Sequence, residues 1–129
     1  MMKAQFYLAT AAISGALAVS VGAFAAHGLK DTLSATLLGV MQTGVQYQFY
    51  HTFALLLVGL LLRQQASKLL SISAVAFLAG LVLFCGSLYL LAFSGVHWLG
   101  IVTPIGGLAF IIGWLSLAGF FLFKDRGKI

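Results

Sequence analysis

"QTGVQYQFYHTFALLLVGLLL", residues 42–62, begins with amides, hydroxyls and an imidazole and ends as almost pure hydrocarbon. It contains no Asp, Glu, Lys or Arg. A helix of about 20 residues, rising 1.5 Å at each, crosses the roughly 30 Å hydrocarbon core of a bilayer, so this stretch reads as a membrane span. The reading of the flanking sequence follows from that one.

Charged residues divide the rest. Uncharged runs cover residues 4–29, 32–62 and 69–123. The first holds one span and the third is long enough for two. "FSGVHWLGIVTP" (93–104) supplies the break between those two through Gly95, Gly100 and Pro104. The expected architecture is an all-α membrane protein, a single integral domain over 1–129, with four transmembrane helices near 5–26, 42–62, 69–92 and 105–123. Between the first two, "KDTLSATLLGVM" (30–41) places Leu33, Leu37 and Met41 four residues apart after Leu29. That rhythm predicts a short interfacial helix with Asp31 or Ser34 as its N-cap, the alternative being a polar loop.

Composition excludes other classes. The chain is 62% hydrophobic and 7% charged, whereas soluble domains carry about 25% charged residues to solvate their surface. The net charge of +5 comes from basic residues scattered singly around apolar blocks, so there is no face for a nucleic-acid backbone to follow. Cys85 stands alone, which rules out an intramolecular disulfide or a cysteine cluster and suits a small buried filler. Residues 1–26 imitate a signal peptide. Their apolar stretch is longer than a usual signal core, so a permanent first helix is expected.

With four spans, Lys3, Arg63, Lys68, Lys124, Arg126 and Lys128 fall on one side and only Lys30, beside Asp31, on the other. Positively charged flanks stay inside, so both termini are expected in the cytoplasm and the protein in the cell inner membrane.

Lipid tails are as apolar as leucine, so helices in a membrane associate through small residues that let backbones approach. Ser14, Ala18, Gly22 and Ala26 form such a stripe on the first helix. Gly80 on the third and Gly106 and Gly113 on the fourth are further packing candidates.

The polar start of the second helix is the candidate site. At 100° per residue, Gln42, Gln46, Tyr50, Thr43, Tyr47 and His51 spread over half the circumference, with Gln48 and Thr52 opposite. Unpaired amides in hydrocarbon cost several kcal/mol, so the wide polar face is expected to look into the bundle or toward water. His27 ends the first helix on the same side of the membrane. A neutral His51, hydrogen-bonded to another helix with His27 as a candidate partner, is expected in preference to a metal or haem ligand, because no histidine pair has ligand spacing and no carboxylate lies at that depth. No metal and no cofactor are expected. No acidic residue lies inside a span and no serine has a neighbouring base in sequence, so no enzymatic activity is expected.

"GAFAAHGLK" (22–30), "QTGVQYQFYHTFALL" (42–56), and "GSLYLL" with "TPIGG" and "GW" between 86 and 114 together resemble the domain-of-unknown-function 423 family of small membrane proteins, to which transmembrane protein 256 is related. Cys85 departs from the serine expected there. The resemblance implies four membrane helices, supplies no activity or ligand, and singles out His27, Gln46, Tyr47, Gln48 and His51 as signature positions. The functional expectation is a structural, accessory or binding protein, in contact with membrane lipids and working as a homo-oligomer or a subunit of a membrane complex. The alternatives are a transporter or channel for a small neutral solute or proton, and a lipid- or quinone-binding protein using Trp98, Trp114 and the tyrosines.

Overall fold

Two serines set where the chain re-enters the membrane. Ser34 and Ser67 each hold an extended backbone and accept a hydrogen bond from the amide three residues on, Leu37 N–H at 3.2 Å and Leu70 N–H at 3.3 Å. Each satisfies one of the amides that a helix start leaves unpaired. In the computed structural model, which describes residues 2–123, the elements are α1 (Met2–His27), α2 (Ala35–Gln64), α3 (Lys68–Gly80), a π-helical turn (Leu81–Cys85), α4 (Gly86–Ser94), a 3-10 helix (His97–Ile101) and α5 (Val102–Phe123). α3, the π turn and α4 run on as one span, so four helical stretches are long and apolar enough to cross a membrane. No strand occurs among the described residues. Lys124, Arg126 and Lys128, on which the expected orientation partly rests, lie outside them.

The separate interfacial helix is not formed. After α1, one turn closes at residues 28–34, with Gly28 and Leu29 N–H both donating to Phe24 O. The chain then enters α2 at Ala35, and residues 35–41 are its first two turns. The i, i+4 apolar rhythm was a true helix signal, but nothing after Ser34 breaks the helix before Gln64. Met41, from that segment, is wholly buried in a cluster with Ala25, Leu29 and Ala92. A helix of 30 residues is about 45 Å long against a core of about 30 Å, so its first turns overhang the hydrocarbon.

α1 packs antiparallel along α2. Its buried positions are Ala4, Ala11, Ala18 and Ala25, seven residues apart, with Tyr7 and Ser14 between them. A four-residue stripe rotates by about 40° per step, while a seven-residue one slips by only about 20°, which slight supercoiling absorbs. Ser14 and Ala18 therefore face α2, Gly22 is partly covered, and Ala26 has turned outward and is exposed. This corrects Ala26 as a packing residue; Ala25 takes its place. The same period locks the partner: Leu8 lies over Gly59, Gly15 against Thr52 and Gly22 against Val45.

The second half is fastened by phenylalanines set on glycines. Phe77 of α3 covers Gly113 of α5, Phe110 of α5 covers Gly80, and Gly106 lies against the backbone of Phe84 in the π turn. At that approach Ser73 Oγ donates to Gly113 O at 2.8 Å. Cys85, in the same turn, is buried. α4 stops at Gly95, whose φ of 70° is the left-handed conformation a glycine adopts without strain, and its N–H caps Leu91 O at 2.8 Å. Pro104 sits in the first turn of α5, where its missing N–H costs nothing. α2 lies between α1 and the α3–α4 span. It meets α5 chiefly through side chains.

Candidate functional site

The polar residues of α2 separate into a buried set and an exposed set, and the division does not follow the wide and narrow faces. Gln48 and Thr52, on the narrow side, are buried, as is His51. Gln42, Thr43, Gln46, Tyr47 and Tyr50, on the wide side, are exposed at the surface of the bundle. The reason is the small-residue seam: α1 approaches α2 closely along the side holding Val45, Thr52 and Gly59, and this carries Gln48 inside. The exposed set is eased by position and by pairing. Gln42 and Thr43 stand in the overhanging turns, Thr43 Oγ1 donates to Gly39 O at 3.0 Å, and Gln46 Nε2 donates to Tyr50 Oη at 2.7 Å.

Gln48 is the centre of a closed knot of three helices. Its Nε2 donates to Ser14 O at 2.9 Å and to Ser14 Oγ at 3.1 Å, and its Oε1 accepts from the Tyr89 hydroxyl at 2.5 Å. Ser14 Oγ and Thr52 Oγ1 share a hydrogen bond at 2.8 Å. The ring of Tyr89 fills the space over Gly44. Among the described residues no buried side-chain polar atom lacks a partner.

His51 belongs to a different group. Its Nδ1 lies 2.8 Å from Tyr47 O, and Trp114 Nε1–H donates to its Nε2 at 3.0 Å. A carbonyl only accepts and an indole N–H only donates, so the proton sits on Nδ1 and the ring is neutral. Its face stacks on Phe110 with centroids 3.5 Å apart, and Tyr47 stacks on Phe84 at 4.7 Å. Both ring nitrogens are engaged, which leaves no lone pair for a metal while the Trp114 bond stands. The partner on another helix is Trp114, not His27. His27 is exposed at the end of α1 and takes no part in either group.

Tyr47, His51, Phe84, Gly107, Phe110 and Trp114 line a cleft of about 670 Å³ between α2, the π turn and α5. Exposed Leu108 and Ile111 form its rim, so it opens toward lipid. No charged side chain lines it. Tyr47 Oη has no hydrogen-bond partner among the described residues, unlike the hydroxyls of Tyr50 and Tyr89. Sequence reasoning found Tyr47 and His51 but missed the roles of Tyr89, Ser14 and Phe110, because apolar or small residues on other helices carry no mark of which polar group they will meet.

Residues 21–107 match the family described as protein of unknown function (DUF423). The chain belongs to this family. Among its relatives, the UPF0382 membrane protein of Haemophilus influenzae is 46% identical over 87% of this chain and 90% of its own length. The UPF0382 inner membrane protein YgdD of Escherichia coli K12 is 42% identical over 98% of this chain and 97% of its own. YwdK of Bacillus subtilis, a UPF0382 membrane protein, is 43% identical over 88% and 93%. No solved structure matches. Those relatives are named as membrane proteins, and this member of the family, with four helical stretches long and apolar enough to cross a membrane, is a multi-pass helical membrane protein.

Proposed function

We propose that this protein is a non-enzymatic inner-membrane binding protein, with both termini in the cytoplasm, that holds a neutral, ring-headed membrane amphiphile of the quinone class in the cleft between α2 and α5. The Gln48 knot is structural in this reading: its hydrogen-bonding groups are consumed by the bundle. The observation that carries the proposal is the unpartnered Tyr47 hydroxyl at the edge of an uncharged, ring-lined cleft open to lipid. Clefts of about 300–1,000 Å³ lined by aromatic groups with few polar ones are typical ligand sites. The rings of Tyr47, Phe84, Phe110 and Trp114 give the cleft an aromatic lining suited to a flat ring. Tyr47 stands roughly 24 Å along α2 from Arg63, within about 6 Å of the far edge of the hydrocarbon core, where heads of neutral amphiphiles reside. A carbonyl oxygen on the ring would accept from the Tyr47 hydroxyl, and an isoprenoid tail would lie along Leu108 and Ile111. The inner-membrane assignment rests on YgdD, and the orientation on the basic residues at one end.

Trp114 reports on the cleft, and Trp98→Phe leaves it as the single tryptophan. In detergent, the short-chain quinone decylubiquinone should quench Trp114 fluorescence saturably. Tyr47→Phe should weaken that binding about fivefold, the equivalent of one hydrogen bond of about 1 kcal/mol. Linear quenching without saturation, or equal weakening by Tyr47→Phe and Tyr50→Phe, would reject the proposal.

A further inference from the structure

At the opposite end of the bundle, the start of α1, the end of α2 and the start of α3 enclose a second recess of about 450 Å³. Its wall is amphiphilic. Ala4 and Leu62 form the apolar part, Gln64, Gln65, Ser67 and Ser71 offer hydrogen bonds, and Lys3 and Arg63 are its charged members. Neither cation has an ion-pair partner among the described residues. Asp31, the one acidic residue described, is at the other end of the molecule.

We infer that this recess binds the phosphate headgroup of an anionic phospholipid, with Lys3 and Arg63 on the phosphate and the glycerol and acyl portions descending past Ala4 and Leu62. Four features point to that occupant rather than to water alone. Two like charges line one hollow and neither has an ion-pair partner among the described residues, so an anion entering it gains from both. Arg63 marks the edge of the apolar run that ends at Leu62, which is the depth of lipid phosphates. The guanidinium matches phosphate oxygens as a two-pronged donor, and lysine adds a mobile point charge. The first turn of α3 adds the positive end of its dipole to the same wall. Basic pockets between membrane helices on the cytoplasmic side recognise anionic headgroups by this combination. The recess is separate from the α2–α5 cleft and does not depend on the ligand proposed there.

The test uses the full-length chain purified in detergent. Phosphatidylglycerol should raise the unfolding temperature by about 4 °C more than phosphatidylcholine of the same acyl composition. Lys3→Gln/Arg63→Gln should lose at least half of that difference, while Lys30→Gln, at the far end, should keep it. Both changes are at exposed positions, and stability without added lipid serves as the folding control. Equal stabilisation by the two lipids, or equal loss in the Lys30→Gln protein, would overturn the inference. Inorganic phosphate reproducing the full shift would reassign the recess to a free anion and overturn the lipid assignment.

Discussion

The ring of Tyr89 occupies the space that a side chain at position 44 would need, and its hydroxyl donates to Gln48 Oε1 one turn further along α2. A glycine on one turn and a glutamine on the next thus act as one receptor for a single tyrosine. Gln48 passes the connection to Ser14 on α1.

Removing that hydroxyl leaves a buried carbonyl oxygen unpaired. Tyr89→Phe should destabilise the protein by about 1–3 kcal/mol, more than the roughly 0.6 kcal/mol average for an interhelical hydrogen bond in a membrane. Gln48→Leu removes the acceptor as well, so the double variant should lose less than the sum of the two singles. Unfolding in detergent gives the cycle. Strict additivity would show that the two residues do not act together.

The glycines differ in what surrounds them. A methyl group at Gly113 would stand 2.6 Å from the buried ring of Phe77, whereas nothing lies within 4 Å of one at Gly39. Gly113→Ala should cost about 1–3 kcal/mol by overpacking. Gly39→Ala should be neutral or stabilise α2 by up to about 1 kcal/mol, because alanine suits a helix interior better. Gly22→Leu, with Val45 close by, should loosen α1 from α2. Equal melting temperatures for Gly113→Ala and the parent would contradict the observed packing.

His51 should show the signature of a neutral ring protonated on Nδ1 in nitrogen-15 spectra. His51→Phe strands the Trp114 indole N–H and should lower stability measurably. Elemental analysis of the parent protein tests the metal alternative. Stoichiometric zinc, copper or iron that disappears in His51→Phe would contradict the assignment of both ring nitrogens.

Topology is open to direct labelling. With Cys85 replaced by Ser, a cysteine placed at Ser67 should react with a membrane-impermeant maleimide only in inverted vesicles. Labelling of intact spheroplasts would reverse the proposed orientation.

The four spans were legible because hydrocarbon length is a property of sequence alone, although the second begins at Ala35, seven residues before the start expected at 42. The faces were harder. Gln46 and Gln48 are the same residue two positions apart, yet one pairs with Tyr50 at the surface and the other is buried by α1. Polarity counted by angle marked the wider face as one to be met by the bundle or by water, and it gave no sign that the narrow face would be buried where small residues let α1 come close. His51 was legible as neutral and cross-linked. Its partner was not, because Trp114 reaches it only through the Phe–Gly register of α3 on α5, a relation between distant segments that no local pattern records.

Because α1 is fastened to α2 by one seven-residue register and α3 to α5 by another, the molecule is two hairpins, each carrying its own alignment code. Between them, the Tyr89–Gln48 and Trp114–His51 bonds act as cross-ties. Each hairpin can settle as it leaves the insertion machinery, without waiting for the other. The link through residues 65–67 is then not needed to align the hairpins, and cutting it between Gln65 and Ala66 should leave two fragments that find one another in the bilayer.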